Sequence, residues 1–195
     1  MAAPPTFSKG DFSRDREVKG SFRDWIDVPI RDKSGERSST TKKRYCVTDS
    51  PDHIDLDALE AAFASPLVWW AGPPSSREQL EALVQNSYCF GLHLDTEMVG
   101  FARLVTDYVT FAYLTDVYVL EEHQGHGLGR SMMECIHGVL EKWPDLRRGL
   151  LITNGGSGAE GTYRKVFGAV DIRERPAKEG IGELIAMEWR YEKGK

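Results

Sequence analysis

The stretch VYVLEEHQGHGLGRSMMECI, residues 117–136, decides how the chain is read. An apolar run from Val117 to Leu120 passes through two acids into Gln124-Gly125-His126-Gly127-Leu128-Gly129, then into a segment whose apolar residues recur on one helical face. Glycine at 125, 127 and 129 permits positive φ or close approach of a ligand to the backbone. A helix that starts there turns its first N–H groups, and the positive end of its dipole, towards an anion. The pattern is a phosphate cradle. A P-loop is excluded because the lysine it needs is absent, and a dinucleotide turn because Arg130 stands where its last glycine belongs.

Outwards from this turn, the spacing predicts a helix of about four turns, with Leu128, Met132, Met133, Ile136, Val139 and Leu140 on one face until Trp143 and Pro144. Upstream, FAYLTDVYVL reads as a strand buried on both faces, and YCFGLHLD with MVGFARLVTD reads as a β-hairpin. Before these, Asp55 is placed to cap a helix over LDALEAAFA, and Ser75 or Ser76 to cap one in SREQLEALVQNS. The loop between them sets Trp69 beside Trp70. From Arg44, RYCVTD reads as a short strand. After the long helix come a strand at RGLLIT, a loop at NGGSGAEG, a short helix at TYRKVFG and a last strand around ELIAMEWRYE. The order is mixed α/β with a largely antiparallel start. Residues 1–43 show no sustained period and read as a partly flexible extension, in which Phe22, Trp25, Ile26, Val28 and Ile30 form an apolar island; residues 44–195 read as one domain.

Composition sets bounds on function. Of 195 residues 41% are hydrophobic and 28% charged, with a net charge of −5, a balance unsuited to binding nucleic acid. No run approaches the ~20 apolar residues that cross a bilayer, and the N-terminus lacks a secretory apolar core, so a cytoplasmic location without membrane partners is expected. Cys46, Cys89 and Cys135 form no CxxC pair and read as reduced. His123 and His126 lack the companions of a metal site, so no metal is expected. GGSGA has alanine at position 159 where a nucleophile elbow needs glycine, which disfavours a serine hydrolase.

Gln124, Gly127 and Gly129 fit Gln/Arg-x-x-Gly-x-Gly/Ala, and in this the chain resembles the GNAT acetyltransferase superfamily, whose pyrophosphate-binding motif has that form. The preceding strand, the following helix and the Tyr163-x-x-x-Phe167-Gly168 segment fall where the family places them, and the resemblance runs from about Arg44 to the C-terminus. It implies an α/β (α+β) fold with a central mixed, mostly antiparallel sheet of six to seven strands flanked by about four helices. It also implies acetyl-CoA as co-substrate. Val117 and Val119, with Tyr118 between them, would offer backbone groups to the pantetheine arm. Gln124, Gly125, His126, Gly127, Leu128, Gly129 and Arg130 would hold the pyrophosphate, in a slot where two strands splay apart. Asn154 and Phe167 would add contacts, although NGGSGAEG departs from the tighter loop usual in the family.

The implied reaction is direct transfer of an acetyl group to a primary amine in a ternary complex. Tyr163 matches the family's general acid, against a packing role, and the Val117 N–H is the candidate oxyanion donor. Asp116 is the candidate base, a carboxylate within an apolar strand; a structural role paired with an Arg such as Arg103 has the edge. Tyr113, Thr115, Asp107 and Glu122 are weaker candidates. Trp69, Trp70 and Tyr113 would line the acceptor mouth, where aromatic faces attract ammonium groups, although the ordinary reading buries at least one tryptophan in the core. A small-molecule amine is the expected acceptor. Protein lysines or N-termini, and a non-catalytic acyl-CoA sensor, are the alternatives; a homodimer is compatible with the sequence.

Overall fold

The computed structural model describes residues 23–31 and 37–174. Residues 1–22, which include Phe22, and the expected strand around residues 183–192 lie outside the described residues. The chain divides into two compact units, residues 1–152 and 153–195.

In the first unit, six strands lie in sequence order: β1 (Arg23–Arg31), β2 (Arg37–Thr48), β3 (Tyr88–Leu94), β4 (Glu97–Thr106), β5 (Phe111–Val119) and β6 (Arg148–Leu151). Neighbours pair antiparallel except β5 and β6, which run parallel. The expected hairpin is β3–β4, and it turns at Asp95, whose φ is 54°. With three α-helices among the described residues of this unit and a fourth among those of the second, the α/β architecture is the one expected.

The sheet begins well before Arg44. Strand β1 pairs with β2 in a register that sets Trp25 opposite Cys46 and Ile26 opposite Tyr45, and Val28 is buried. Its sequence hides this because β1 is an edge strand rich in charge, whose ladder rather than its apolar content holds it. Trp25 stays 55% exposed, with the Arg44 guanidinium 5.8 Å from its ring centroid.

Caps set the helix starts. The Asp55 carboxylate accepts the N–H groups of Asp57 and Ala58 and opens α1 (Leu56–Ala64). Ser76, rather than Ser75, accepts the Gln79 N–H and opens α2 (Arg77–Gln85). These helices cover one face of the sheet: Leu59, Phe63 and Leu80 share a core with Phe101 of β4 and Tyr118 of β5. Helix α3 (Leu128–Leu140) buries Leu128, Met132, Met133 and Ile136. It lies on the other face, where Tyr88, opposite Leu104, stacks on Trp143 just past the helix end. No helix among the described residues is long and apolar enough to cross a membrane.

Strand β5 departs from the expected burial on both faces. Its residues alternate, with Ala112, Leu114 and Asp116 buried and Phe111, Tyr113, Thr115 and Val117 half-buried. The α1–α2 core covers Phe101 and Tyr118 but leaves the other end of that face open, where Val105 stands 41% exposed opposite Tyr113.

In the second unit, α4 (Gly158–Phe167) starts earlier than the expected Thr162. The Ser157 hydroxyl accepts the Glu160 N–H, and Arg164 donates to Glu160 at 2.7 Å, which offsets the weak helix propensity of Gly158 and Gly161. Gly168, at φ 61°, closes the helix.

Candidate active site

Strand β5 is paired with β6 only from Phe111 to Leu114. From Thr115 to Val119 its outer edge has no strand partner among the described residues, so the ladder leaves backbone groups on that edge for other partners. The other edge carries a bulge. Phe101 is opposite Tyr118 and Arg103 is opposite Thr115, so the single residue Ala102 faces both Asp116 and Val117. Asp116 is the bulged residue, with φ at 53°. That is left-handed backbone, which aspartate tolerates better than most residues.

The Asp116 carboxylate is buried and engaged. Arg103 Nε donates to Oδ2 at 2.7 Å, Arg103 Nη2 lies 2.6 Å from the same oxygen, and the Thr115 hydroxyl donates to Oδ1 at 3.2 Å. Arg103 Nη1 also donates to Ser87 Oγ at 3.1 Å. The pairing with Arg103 that the sequence favours is present, and Ser87 and Thr115 complete it.

Beyond β5, the chain turns through Glu121–His123 into the glycine turn. Gly125 and Gly127 have φ of 76° and 79°, and Gly127 caps α3 without help from any side chain. The first helical bond runs from the Ser131 N–H to the Gly127 carbonyl, so the amides of the preceding turn have no acceptor within the helix. A Cβ placed on Gly125 or Gly127 would meet nothing within 4 Å, so the space over this backbone is open. Unclaimed donors, open space and the positive end of a helix dipole fit a diphosphate.

The remaining turn residues divide by what their side chains do. Gln124 Nε2 donates to the Val119 carbonyl at 2.8 Å, folding the turn back on β5. Leu128 and Tyr118 are buried in the core, which leaves only their backbone for a ligand. His126 is exposed. The Arg130 guanidinium pairs along the helix with Glu134 at 2.8 Å. His123 is buried and carries a bond that sequence reasoning missed, with its Nδ1 3.0 Å from the Tyr45 hydroxyl on β2. Nothing local in either segment signals a pairing across 78 positions. Among the described residues no three His, Cys, Asp or Glu side chains gather as a metal site.

Trp69 and Trp70 follow the turn Pro66–Val68, which packs against β5. Their rings meet edge to face at 5.9 Å and are 67% and 44% exposed. The expectation that at least one fills the core does not hold, because Val68, fully buried, occupies that position. Of the weaker base candidates, Asp107 accepts the N–H groups of Val109, Thr110 and Phe111 and the Thr110 hydroxyl. Those bonds, the Thr110 hydroxyl first, hold its carboxyl well below the usual range and commit it to the β4–β5 loop. Glu122 is exposed.

Asn154, Tyr163 and Phe167 belong to the second unit. There Tyr163 is half-buried, its ring 6.4 Å from that of Phe167, and burial raises its phenol pKa, so the hydroxyl keeps its proton. Asn154 accepts the Ser157 N–H with its backbone carbonyl.

A model of the Acetyltransferase (GNAT) family matches residues 56–169. A Gibberella zeae protein whose name makes it an inferred acetyltransferase is 38% identical over 165 residues, 75% of this chain and 90% of that protein. The crystal structure of a GNAT-family protein from Xanthomonas campestris pv. campestris, again an inferred acetyltransferase, is 31% identical with a TM-score of 0.55, covering 65% of this chain and 84% of that one. A GNAT-family acetyltransferase from Streptococcus pneumoniae TIGR4 shares the fold at 21% identity and a TM-score of 0.52, over 75% of this chain and 96% of that one. With the glycine turn, the released edge of β5 and these relatives agreeing, the chain belongs to the GNAT acetyltransferase family.

Proposed function

We propose that this protein transfers the acetyl group of acetyl-CoA to the primary amine of a small molecule, the amine attacking the thioester directly within a ternary complex. The observation that carries this reading is the uncapped start of α3, where Gly125 and Gly127 take positive φ beneath open space, beside the stretch of β5 that β6 leaves unpaired. Gln124 folds the turn back on β5, the amides of residues 125–130 hold the diphosphate, and Val117 and Val119 offer backbone groups to the pantetheine arm. Asn154 and Phe167 are the further contacts that the family resemblance implies.

As the C–N bond forms and the C–S bond breaks, negative charge develops first on the carbonyl oxygen and then on sulfur. The Val117 N–H meets the first charge. Tyr163 gives its proton to the second, a role supported by a phenol kept protonated by burial. Trp69 and Trp70 present exposed aromatic faces to the incoming ammonium group, with Tyr113 on the half-open face of β5. The net charge of −5 suits a cationic acceptor.

Thiol release from acetyl-CoA, followed across a panel of small amines beside a panel of lysine and N-terminal peptides, tests the reading. Turnover with small amines, raised in KM for the amine by Trp69→Ala or Trp70→Ala, is the expected result. Turnover with peptides alone overturns the acceptor class. Tight acetyl-CoA binding without thiol release in either panel overturns catalysis in favour of a sensor.

A further inference from the structure

We infer that Arg103 is a positioning residue for acetyl transfer, acting through its ion pair with Asp116 to hold the β5 bulge that aims the Val117 amide. The inference rests on the assignment of that amide as oxyanion donor, and it adds which residues fix its direction.

The bulge puts two residues of β5 against one of β4, so the regular ladder cannot claim every backbone group there. Val117 directly follows the bulged residue on the stretch of β5 that β6 does not pair, so the direction of its amide is set by the torsions of Asp116. At φ 53° Asp116 is in a region that an L-residue leaves for ordinary extended backbone unless its surroundings hold it. The hold is visible. Two guanidinium nitrogens of Arg103 grip one carboxylate oxygen, the Thr115 hydroxyl grips the other, and the third guanidinium nitrogen reaches Ser87 at the entry to β3. Arg103 and Asp116 side chains are only 17% and 7% exposed, so water competes poorly for either partner.

This geometry also separates two roles for Asp116. A general base needs an oxygen free to accept a proton from the amine. Here both oxygens already accept hydrogen bonds, and one faces a permanent cation. The carboxylate serves as the anchor of a backbone conformation, and proton removal falls to another group or to water.

The experiment follows the carbonyl stretch of acetyl-CoA labelled with carbon-13 at the thioester carbonyl, bound to the full chain, alongside its Kd by calorimetry. In the wild-type protein the stretch moves to lower frequency on binding, as a carbonyl polarised by an amide does. Arg103→Ala abolishes most of that movement and lowers turnover by about 10-fold to 100-fold, the range for a misplaced reacting group or a lost oxyanion donor, while Kd changes little because the diphosphate contacts remain. Arg103→Lys restores part of it. Asp116→Asn tolerates left-handed backbone and still bonds to Arg103, so it retains the shifted band. Because Arg103→Ala leaves a buried carboxylate unpaired and can fail to fold, the double variant Arg103→Ala/Asp116→Gly is the second arm. Glycine adopts the torsion unaided, and the shift returns in part.

A wild-type band that moves, joined to an unchanged band in Arg103→Ala or a double variant no better than a single one that folds, overturns the role of Arg103 alone. Loss of turnover in Asp116→Asn with its shifted band intact returns Asp116 to the role of base and overturns the anchor. A bound wild-type band that does not move overturns the Val117 assignment. Absence of acetyl-CoA binding overturns the proposed reaction itself.

Discussion

The Tyr45 hydroxyl on β2 lies 3.0 Å from Nδ1 of His123, the residue just before the glycine turn, and the two rings meet edge to face at 5.7 Å. Both side chains are buried, and burial raises the Tyr45 phenol pKa, so the hydroxyl keeps its proton and can donate to the ring. The bond ties the start of the anion cradle to a strand three places away in the sheet order. Tyr45→Phe is therefore expected to destabilise the protein by about 1 kcal/mol and to weaken acetyl-CoA binding more than it lowers turnover at saturation. Denaturant unfolding and calorimetry check the two effects; full affinity in a destabilised variant would show that the bond serves stability alone.

Gly127→Val places a branched side chain at φ 79°, which a β-branched residue adopts only under strain, and projects it into the open space over the turn. Acetyl-CoA affinity is expected to fall by more than 10-fold, with a stability loss of about 1–2 kcal/mol. Calorimetry that returned wild-type affinity would refute the placement of the diphosphate.

Tyr163→Phe removes a proton donor and little volume. Turnover is expected to fall by about 10²-fold or more with acetyl-CoA Kd nearly constant, as for an interaction made only in the transition state. Steady-state kinetics beside calorimetry reads the split, and unchanged turnover would return Tyr163 to a packing role.

His93 supplies a pH dependence. Burial lowers its pKa below the ordinary 6.5, the neighbouring backbone bond to His53 offsetting only part. Its Nε2 lies 2.8 Å from the His53 carbonyl oxygen, to which the neutral ring donates. The unfolded chain takes up the proton first on acidification. The folded state thus loses stability as pH falls from about 6.5 towards the folded pKa, and is unaffected by this group above that window. Urea midpoints from pH 8 to pH 5 should fall less in His93→Gln, which keeps a donor and does not titrate; parallel curves for the two proteins would exclude His93.

What was legible in the chain was what neighbours in sequence decide. Asp55 and Ser76 announce their helices because a cap bonds only a few residues ahead, and the glycine turn is legible because its torsions are local. Strand β1 was not legible, since its place depends on a ladder with β2 rather than on its own apolar residues. Neither was the bulge, which exists only where two strands disagree in length; Asp116 stood out as a lone acid, but its left-handed torsion did not. The exposure of both Trp69 and Trp70 was hidden because Val68, a smaller residue, takes the buried position.

The like direction of β5 and β6 has a kinetic consequence. A strand that returns parallel must first be carried back across the sheet, and that return path holds the glycine turn and all of α3. Closing so long an excursion before any bond rewards it makes this union a late event, after the tight β3–β4 hairpin has zipped. Pulse-labelled amide exchange during refolding should find Gly149 to Leu151 protected after the hairpin. The β6 edge of the sheet, just short of the acetyl-CoA site proposed above, would then be a late arrival, set only once the antiparallel hairpin is in place to receive it.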